Sequence, residues 1–473
     1  MPRQEADLKL RDLFIVLVLC ASANAANWSE PLRVKIGWAD DIVVDRTGFL
    51  WCLAYPDGCY KYHDETSDWL LDIETPPFGG PACFDNDDTL WVFNDGIGIR
   101  YTRYAGAVWS EGVNIPFFSP SDDHPGITAD SGNGVWVGWL SYAFGYWTVA
   151  CNRYFNGAWG EPQVISNPSE PVDNAFYSIV TDPYGRVWLG WIGSYSSMTL
   201  DTFISYPRAR CWDSGQWSET MEIAVLGPDV TEFKRASRLR LAPDNEGGMW
   251  ALWDYWLTSS DTVALEACHW DGEEWTTPET LDVTRMIKGN YPGGDIAVDT
   301  AGNVWAVWMH RVEADTGNGD IYYSVNSGKG WSEPAPMNPH PAVDGSPSVI
   351  VDGEGRVWCI WASFREVEHA VYSSYVTSLG VEEPVTHQIL KPTLIVEPQV
   401  GREFCFRVLN LLPPTELEIY DASGRMVKRL RVRPDEAVIW NGCDESGGRL
   451  PAGVYFAEVE DSQALPEKIV LLR

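Results

Sequence analysis

Seven times along the chain an Asp is followed six residues later by a Trp: Asp45–Trp51, Asp85–Trp91, Asp130–Trp136, Asp182–Trp188, Asp244–Trp250, Asp299–Trp305 and Asp352–Trp358. The fourth position of each copy is Gly48, Asp88, Asn133, Gly185, Gly247, Gly302 or Gly355, residue types that tolerate a positive φ. The residue before each Trp is apolar. Asp, two free positions, a left-handed residue and an apolar-Trp strand describe a hairpin built on a type I turn closed by a bulge. Recurrence at intervals of about 40 to 60 residues means an array of one supersecondary unit, and four short strands per unit means a β-propeller.

A second periodic element lies between these turns. Trp28-Ser-Glu-Pro31 and Trp331-Ser-Glu-Pro334 are its fullest copies; looser ones start at Trp109, Trp159, Trp217 and Trp275, and Trp69 is degenerate. Asn156-Gly157 and Asp271-Gly272 precede two of them, and such pairs between apolar runs signal tight hairpins. Each unit therefore has two hairpins. One Trp-Ser-Glu-Pro copy precedes the first turn, whereas the last unit ends at Gly380–Pro384 without its Trp. Residues 27–34 are thus expected to supply the outer strand of the last blade and close a seven-bladed ring, hiding its edges. The expected class is all-β: a seven-bladed propeller over 26–384, then a small immunoglobulin-like sandwich over 385–473. The repeated Trp residues are expected to pack between blades.

Residues 1–25 read as a secretory signal, with a charged start, an apolar stretch Leu13–Cys20 and a small-residue cleavage site at Ala23-Asn-Ala25. No segment reaches the roughly 20 apolar residues of a membrane helix, so no membrane span is expected in the mature chain. The net charge of −33 is concentrated in residues 26–384, with 20 Lys+Arg against 51 Asp+Glu. Such a surface repels phosphate backbones, which argues against nucleic-acid partners. Cys52 and Cys59 flank Tyr55-Pro-Asp-Gly58, and a hairpin there makes them a candidate disulfide. Neither Cys-x-x-Cys nor paired His spacing points to zinc.

The last 80 residues carry a resemblance. Leu417-Glu-Ile-Tyr-Asp-Ala-Ser-Gly-Arg-Met-Val427, Ile439–Tyr455 and the ending Lys468-Ile-Val-Leu-Leu-Arg473 resemble the C-terminal sorting domains of bacterial type IX secretion cargo and the related flagellar-hook-capping-type immunoglobulin-like domain. The Asn-Pro pair that often opens such domains is Glu397-Pro398 here. The resemblance implies an extracellular or outer-surface bacterial protein that meets the secretion machinery through this domain. In the propeller, Ser324-Val-Asn-Ser-Gly-Lys-Gly-Trp331 and Thr102-Arg-Tyr-Ala-Gly-Ala-Val-Trp109 resemble the Asp-box repeat of sialidase-type propellers. The Asp-x-x-Gly-x-x-Trp turns are similar to those of two-component-regulator sensor propellers.

Known catalytic motifs are absent: the sequence has no Arg-Ile-Pro string, nucleophile elbow, phosphate-cradling glycine loop or His-Glu-x-x-His. Attention falls on the rim where inner strands begin and second strands end. Asp40, Asp41, Asp123, His124, Arg238, Asp254, Tyr255, Tyr291, Asp295, His310, Arg311 and Arg365 lie there by register. Aromatic rings stack on sugar faces while acids and arginines bond hydroxyls, so a glycan ligand is expected, with an extracellular protein as the other partner class. A sialidase-like hydrolase or lyase is the alternative, and a structural spacer the third reading. No cofactor is required, although Asp315-Thr-Gly-Asn-Gly-Asp320 offers oxygens of the kind that hold Ca²⁺.

Overall fold

The computed structural model describes residues 26–472 except 40, 75, 97, 117–118, 120–121, 144–145, 167–172, 198–201, 225–233, 258–261, 286–292, 312–318, 366–368, 378–392, 398–399, 410–414, 433–437 and 460–466. The expected signal segment therefore lies outside the described residues. Every regular element among those described is a β-strand. The chain divides into two compact units, Met1–Leu379 and Gly380–Arg473.

The first unit is a series of antiparallel meanders. Their leading strands are Asp41–Val44, Ala82–Phe84, Asp123–Ala129, Asp173–Thr181, Lys234–Pro243, Asp295–Val298 and Asp344–Val351. The meanders starting at Asp173 and Lys234 join in one nine-stranded sheet through a single parallel pair, Ser205 with Arg235. Each leading strand packs against the next, and Asp344–Val351 packs against Asp41–Val44. The arrangement is all-β and propeller-like.

Hydrogen bonds explain the Asp–Trp spacing. At Asp299 one carboxylate oxygen accepts the N–H groups of Ala301 and Asn303, each at 2.9 Å, and the other accepts the indole N–H of Trp305 at 2.9 Å. The indole bond recurs from Trp51, Trp91, Trp136, Trp188 and Trp358 to their own Asp. Asp244 takes His269 instead, Nε2 at 2.7 Å, and Trp250 stacks on that imidazole. The fourth residue of every copy is left-handed, with φ between 56° and 92°. One carboxylate thus satisfies a turn and a buried indole together, which is why the pair repeats.

In five of the meanders the second Trp lies edge-on against the motif Trp of the preceding one. Trp217 meets Trp136, Trp275 meets Trp188, and Trp331 meets Trp250, at 5.6 to 6.5 Å between ring centroids. Trp28 takes the same position on Trp305 at 5.8 Å, and Trp69 on Trp358 at 6.0 Å. The Ser29 N–H donates to the Tyr375 carbonyl at 2.7 Å, just as Ser332 donates to Val325 within its own meander. Strand Leu32–Ile36 then runs antiparallel to Ala370–Thr377. A further Trp sits three residues after the motif Trp in five meanders (Trp139, Trp191, Trp253, Trp308, Trp361), and all five are fully buried.

The expected Cys52–Cys59 disulfide is not compatible with the hairpin. Cys52 pairs with Tyr60 and Leu53 with Cys59, so the two thiols project from opposite faces of the sheet. Cys52 packs with Tyr62 and Trp358, and Cys59 with Val43 and Trp51.

The second unit has a three-stranded sheet (Thr393–Glu397, Phe404–Leu409, Val438–Trp440) and a five-stranded one that includes Thr415–Asp421, Met426–Val432, Gly453–Val459 and Glu467–Leu471. Both contribute to one core, with Phe404, Phe406 and Trp440 from the first and Leu417, Ile419, Tyr455 and Ile469 from the second. Its turns reuse the Asp device: Asp421 accepts the N–H groups of Ser423 and Arg425, and Asp444 those of Ser446 and Gly448.

Candidate functional site

Several leading strands share an irregularity six residues before the turn Asp. His124, Arg238, Gly293 and Ser346 occupy that position, and all are left-handed, with φ of 54°, 53°, 53° and 51°. Strand register shifts at three of them, between Asp123 and Gly126, Ser237 and Arg240, and Gly345 and Ser348. These are β-bulges, which bend a strand and re-aim its side chains. Glycine adopts this backbone freely. For arginine it costs about 1–2 kcal/mol, and such strain is found at functional sites more than elsewhere.

Two of the bulges, at Arg238 and Ser346, border a cavity of about 430 Å³ whose lining includes Trp38, Asp41, Arg238, Arg240, Ser348 and Trp361. Arg240 Nε lies 3.7 Å from Asp295 Oδ1. The other Asp295 oxygen accepts the Ser348 hydroxyl at 2.8 Å and the Val349 N–H at 2.9 Å. Asp41 accepts the N–H groups of Ile42 at 2.8 Å and Ala82 at 2.7 Å. Asp254 is only 1% exposed. Neither of its oxygens is held in an ordinary hydrogen bond, and its polar neighbours are the Gly293 N–H, Arg238 and Arg240.

Burial pushes the Asp41 carboxyl from 3.8 up to about 7, against the pull of the Ala82 and Ile42 N–H groups. Burial does the same to Asp254, also to about 7, with Arg238 opposing it. Two acids poised near neutrality beside two arginines can donate or accept hydrogen bonds and protons without large rearrangement.

Of the residues named at the rim, the structure brings Asp41, Arg238, Asp254 and Asp295 together. The others lie elsewhere. Asp123 and His124 face each other at 3.1 Å with the imidazole 68% exposed. Tyr255 alternates to the opposite face of its strand and is buried in the core with Trp188 and Cys268. His310 is turned to Asp282, Nδ1 at 2.6 Å, whose same oxygen accepts the Trp308 indole. Arg311 follows that strand, its N–H donating to Thr284. Arg365 is a packing residue: it bonds Asp344 at 2.6 Å and the Asn338 carbonyl at 2.8 Å while lying over Trp361 and Tyr372. Tyr291, Asp40 and most of the Asp315–Asp320 loop lie outside the described residues, and no group of His, Cys, Asp or Glu suited to a metal occurs among those described. Arg240 and Trp38 were not foreseen. Arg240 shares the alternation parity of Arg238, the one signal that pointed to it, and Trp38 falls outside both Trp registers.

Residues 412–464 match the FlgD Ig-like domain. The second unit is Ig-like. No curated protein matches the chain. Among solved structures, the first unit is similar to a polysaccharide lyase of family PL25, an ulvan lyase bound to -[GlcA(1-4)Rha3S]-, with a TM-score of 0.51 and 10% identity over 74% of this chain and 96% of that one. An α-L-arabinanase of Penicillium chrysogenum complexed with arabinobiose follows at 0.42 and 10% identity, over 74% and 98%. A protein of unknown function from Dyadobacter fermentans gives 0.43 and 11%, over 75% and 99%. At such identities the likeness to the lyase speaks for a shared propeller-like fold alone.

Proposed function

We propose that this chain is a secreted or surface-displayed bacterial protein whose first unit is a closed seven-bladed propeller binding a glycan on its axis. Support for closure comes from the unbroken circuit of leading strands and from Trp28 and Ser29, which complete the last meander. The observation that carries the function is the convergence in one cavity of residues from three meanders, the fifth being a neighbour of neither of the others: Asp41 from the first, Arg238 and Arg240 from the fifth, Ser348 from the last. Guanidinium and carboxyl groups suit dense hydroxyls, and the exposed indole of Trp38 offers a ring face. The test is a glycan array on the full chain, repeated with Arg238→Gly. Binding by the wild type and its loss in the variant support the reading; no binding to any glycan favours the spacer.

The hydrolase or lyase reading draws on Asp41 and Asp254, whose raised carboxyls suit proton transfer near pH 7. Incubating an array hit with protein and assaying new reducing ends tests it; an intact ligand leaves the binding module. Export through a type IX route by way of the Ig-like unit belongs to the same proposal. Fractionation of cells expressing the chain with and without residues 385–473 tests that part.

A further inference from the structure

Trp38 is the one tryptophan among the described residues that is mostly exposed, at 62%. Its ring is nonetheless fixed. One face stacks on His369 at 3.6 Å between centroids and 32° between planes. His369 is itself clamped, its Nδ1–H donating to the Gly37 carbonyl at 3.0 Å while its own carbonyl accepts the Gly37 N–H at 2.7 Å. Burial lowers the His369 pKa, so the imidazole is a neutral ring at neutral pH. Phe364, 54% exposed, meets His369 edge-on at 4.8 Å. Trp38 lines the same cavity as Arg238 and Arg240.

An exposed indole normally gains by folding onto its surroundings. Here the backbone clamp and the imidazole beneath hold it flat with one face open to solvent, immediately beside a hydrogen-bonding cavity. We propose that Trp38 is a stacking platform for a sugar ring: one ring of a glycan lies on its open face while the adjoining residue of the same glycan enters the cavity beside Arg238 and Arg240. This rests on the glycan-binding reading above and extends it. The site takes at least two linked sugars, running from the axis over the rim of the last meander. A protein partner is disfavoured because the exposed aromatic surface is two rings, not a patch of several hundred Å². The acidic balance of residues 26–384 opposes an anionic membrane.

The experiment compares full-length wild type, Trp38→Ala, Trp38→Phe and Arg238→Gly by calorimetric titration with a linear oligosaccharide hit and its shorter homologues down to the monosaccharide. Trp38→Ala is expected to weaken the disaccharide and longer ligands about 10- to 30-fold, the range of an aromatic hot spot. Monosaccharide affinity should fall less than that of the longer ligands, and Trp38→Phe should recover part of the loss. If Trp38→Ala binds every length as the wild type does, the platform is overturned and the cavity reading stands. If Arg238→Gly binds normally while Trp38→Ala does not, the path from cavity to platform is overturned. If the wild type binds no saccharide of any length, both fall.

Discussion

Arg238 holds a backbone conformation that L-residues avoid, and the equivalent place in the next meander is filled by Gly293. The fold itself therefore shows which residue relieves the strain. Arg238→Gly is expected to abolish ligand binding, with the relief of up to about 1 kcal/mol of strain offsetting part of what the loss of the guanidinium beside buried Asp254 costs. Arg238→Ala keeps the strained Cβ and gains nothing. Differential scanning calorimetry of the two variants reads the contrast directly. The acids beside it give a pH signature. Asp41 and Asp254 have folded-state values of about 7 against an ordinary 3.8. The folded protein holds these protons more tightly than the unfolded chain does. Their contribution is full below about pH 4 and is withdrawn as pH rises through 7. Tm should accordingly fall across that window, and Asp254→Asn should show a smaller fall; parallel profiles for the two proteins would sink the assignment. At this scale the sequence was readable where a residue had one job. The turn positions needed a carboxylate and a left-handed residue, and no other types fit.

Elements were legible as periods, and the mouth was not, for one physical reason. Successive side chains along a strand point to opposite faces, so neighbours at one strand end cannot all enter the channel. Reading strand ends without regard to face placed Asp254, Tyr255 and His310 together at the mouth, whereas the strands bury Tyr255 on the other face and turn His310 to Asp282. The same arithmetic misjudged Cys52 and Cys59, which sit one pairing step apart. Non-reducing peptide mapping should recover no Cys52–Cys59 linked peptide. Where the hairpins were read through their turns the outcome was secure, and those turns should be costly to break. Asp299 is fully buried and accepts from Ala301, Asn303 and Trp305. Asp299→Ala leaves those donors without an acceptor, at about 1–3 kcal/mol for each one left buried. Urea denaturation should place the variant several kcal/mol below the wild type, with an unchanged m-value.

Across the whole molecule, architecture was written in repetition while the ligand was not, because propellers are reused for many chemistries and the site lies in a handful of side chains at strand ends. Removing residues 26–36 should cost several kcal/mol, since it strips the strand from Ala370–Thr377 and the indole from Trp305. A truncated protein with the Tm of the intact chain would contradict a closed ring. The Ser29–Ser374 contact spans 345 positions of sequence, and this has a temporal meaning. A nascent chain makes its first strand at the outset and its partner almost last, so Leu32–Ile36 stays unpaired until nearly the whole first unit has left the ribosome. Any prematurely terminated product would carry two naked strand edges, one at each end. Such edges pair readily with other chains, so incomplete copies are the species from which aggregation should start.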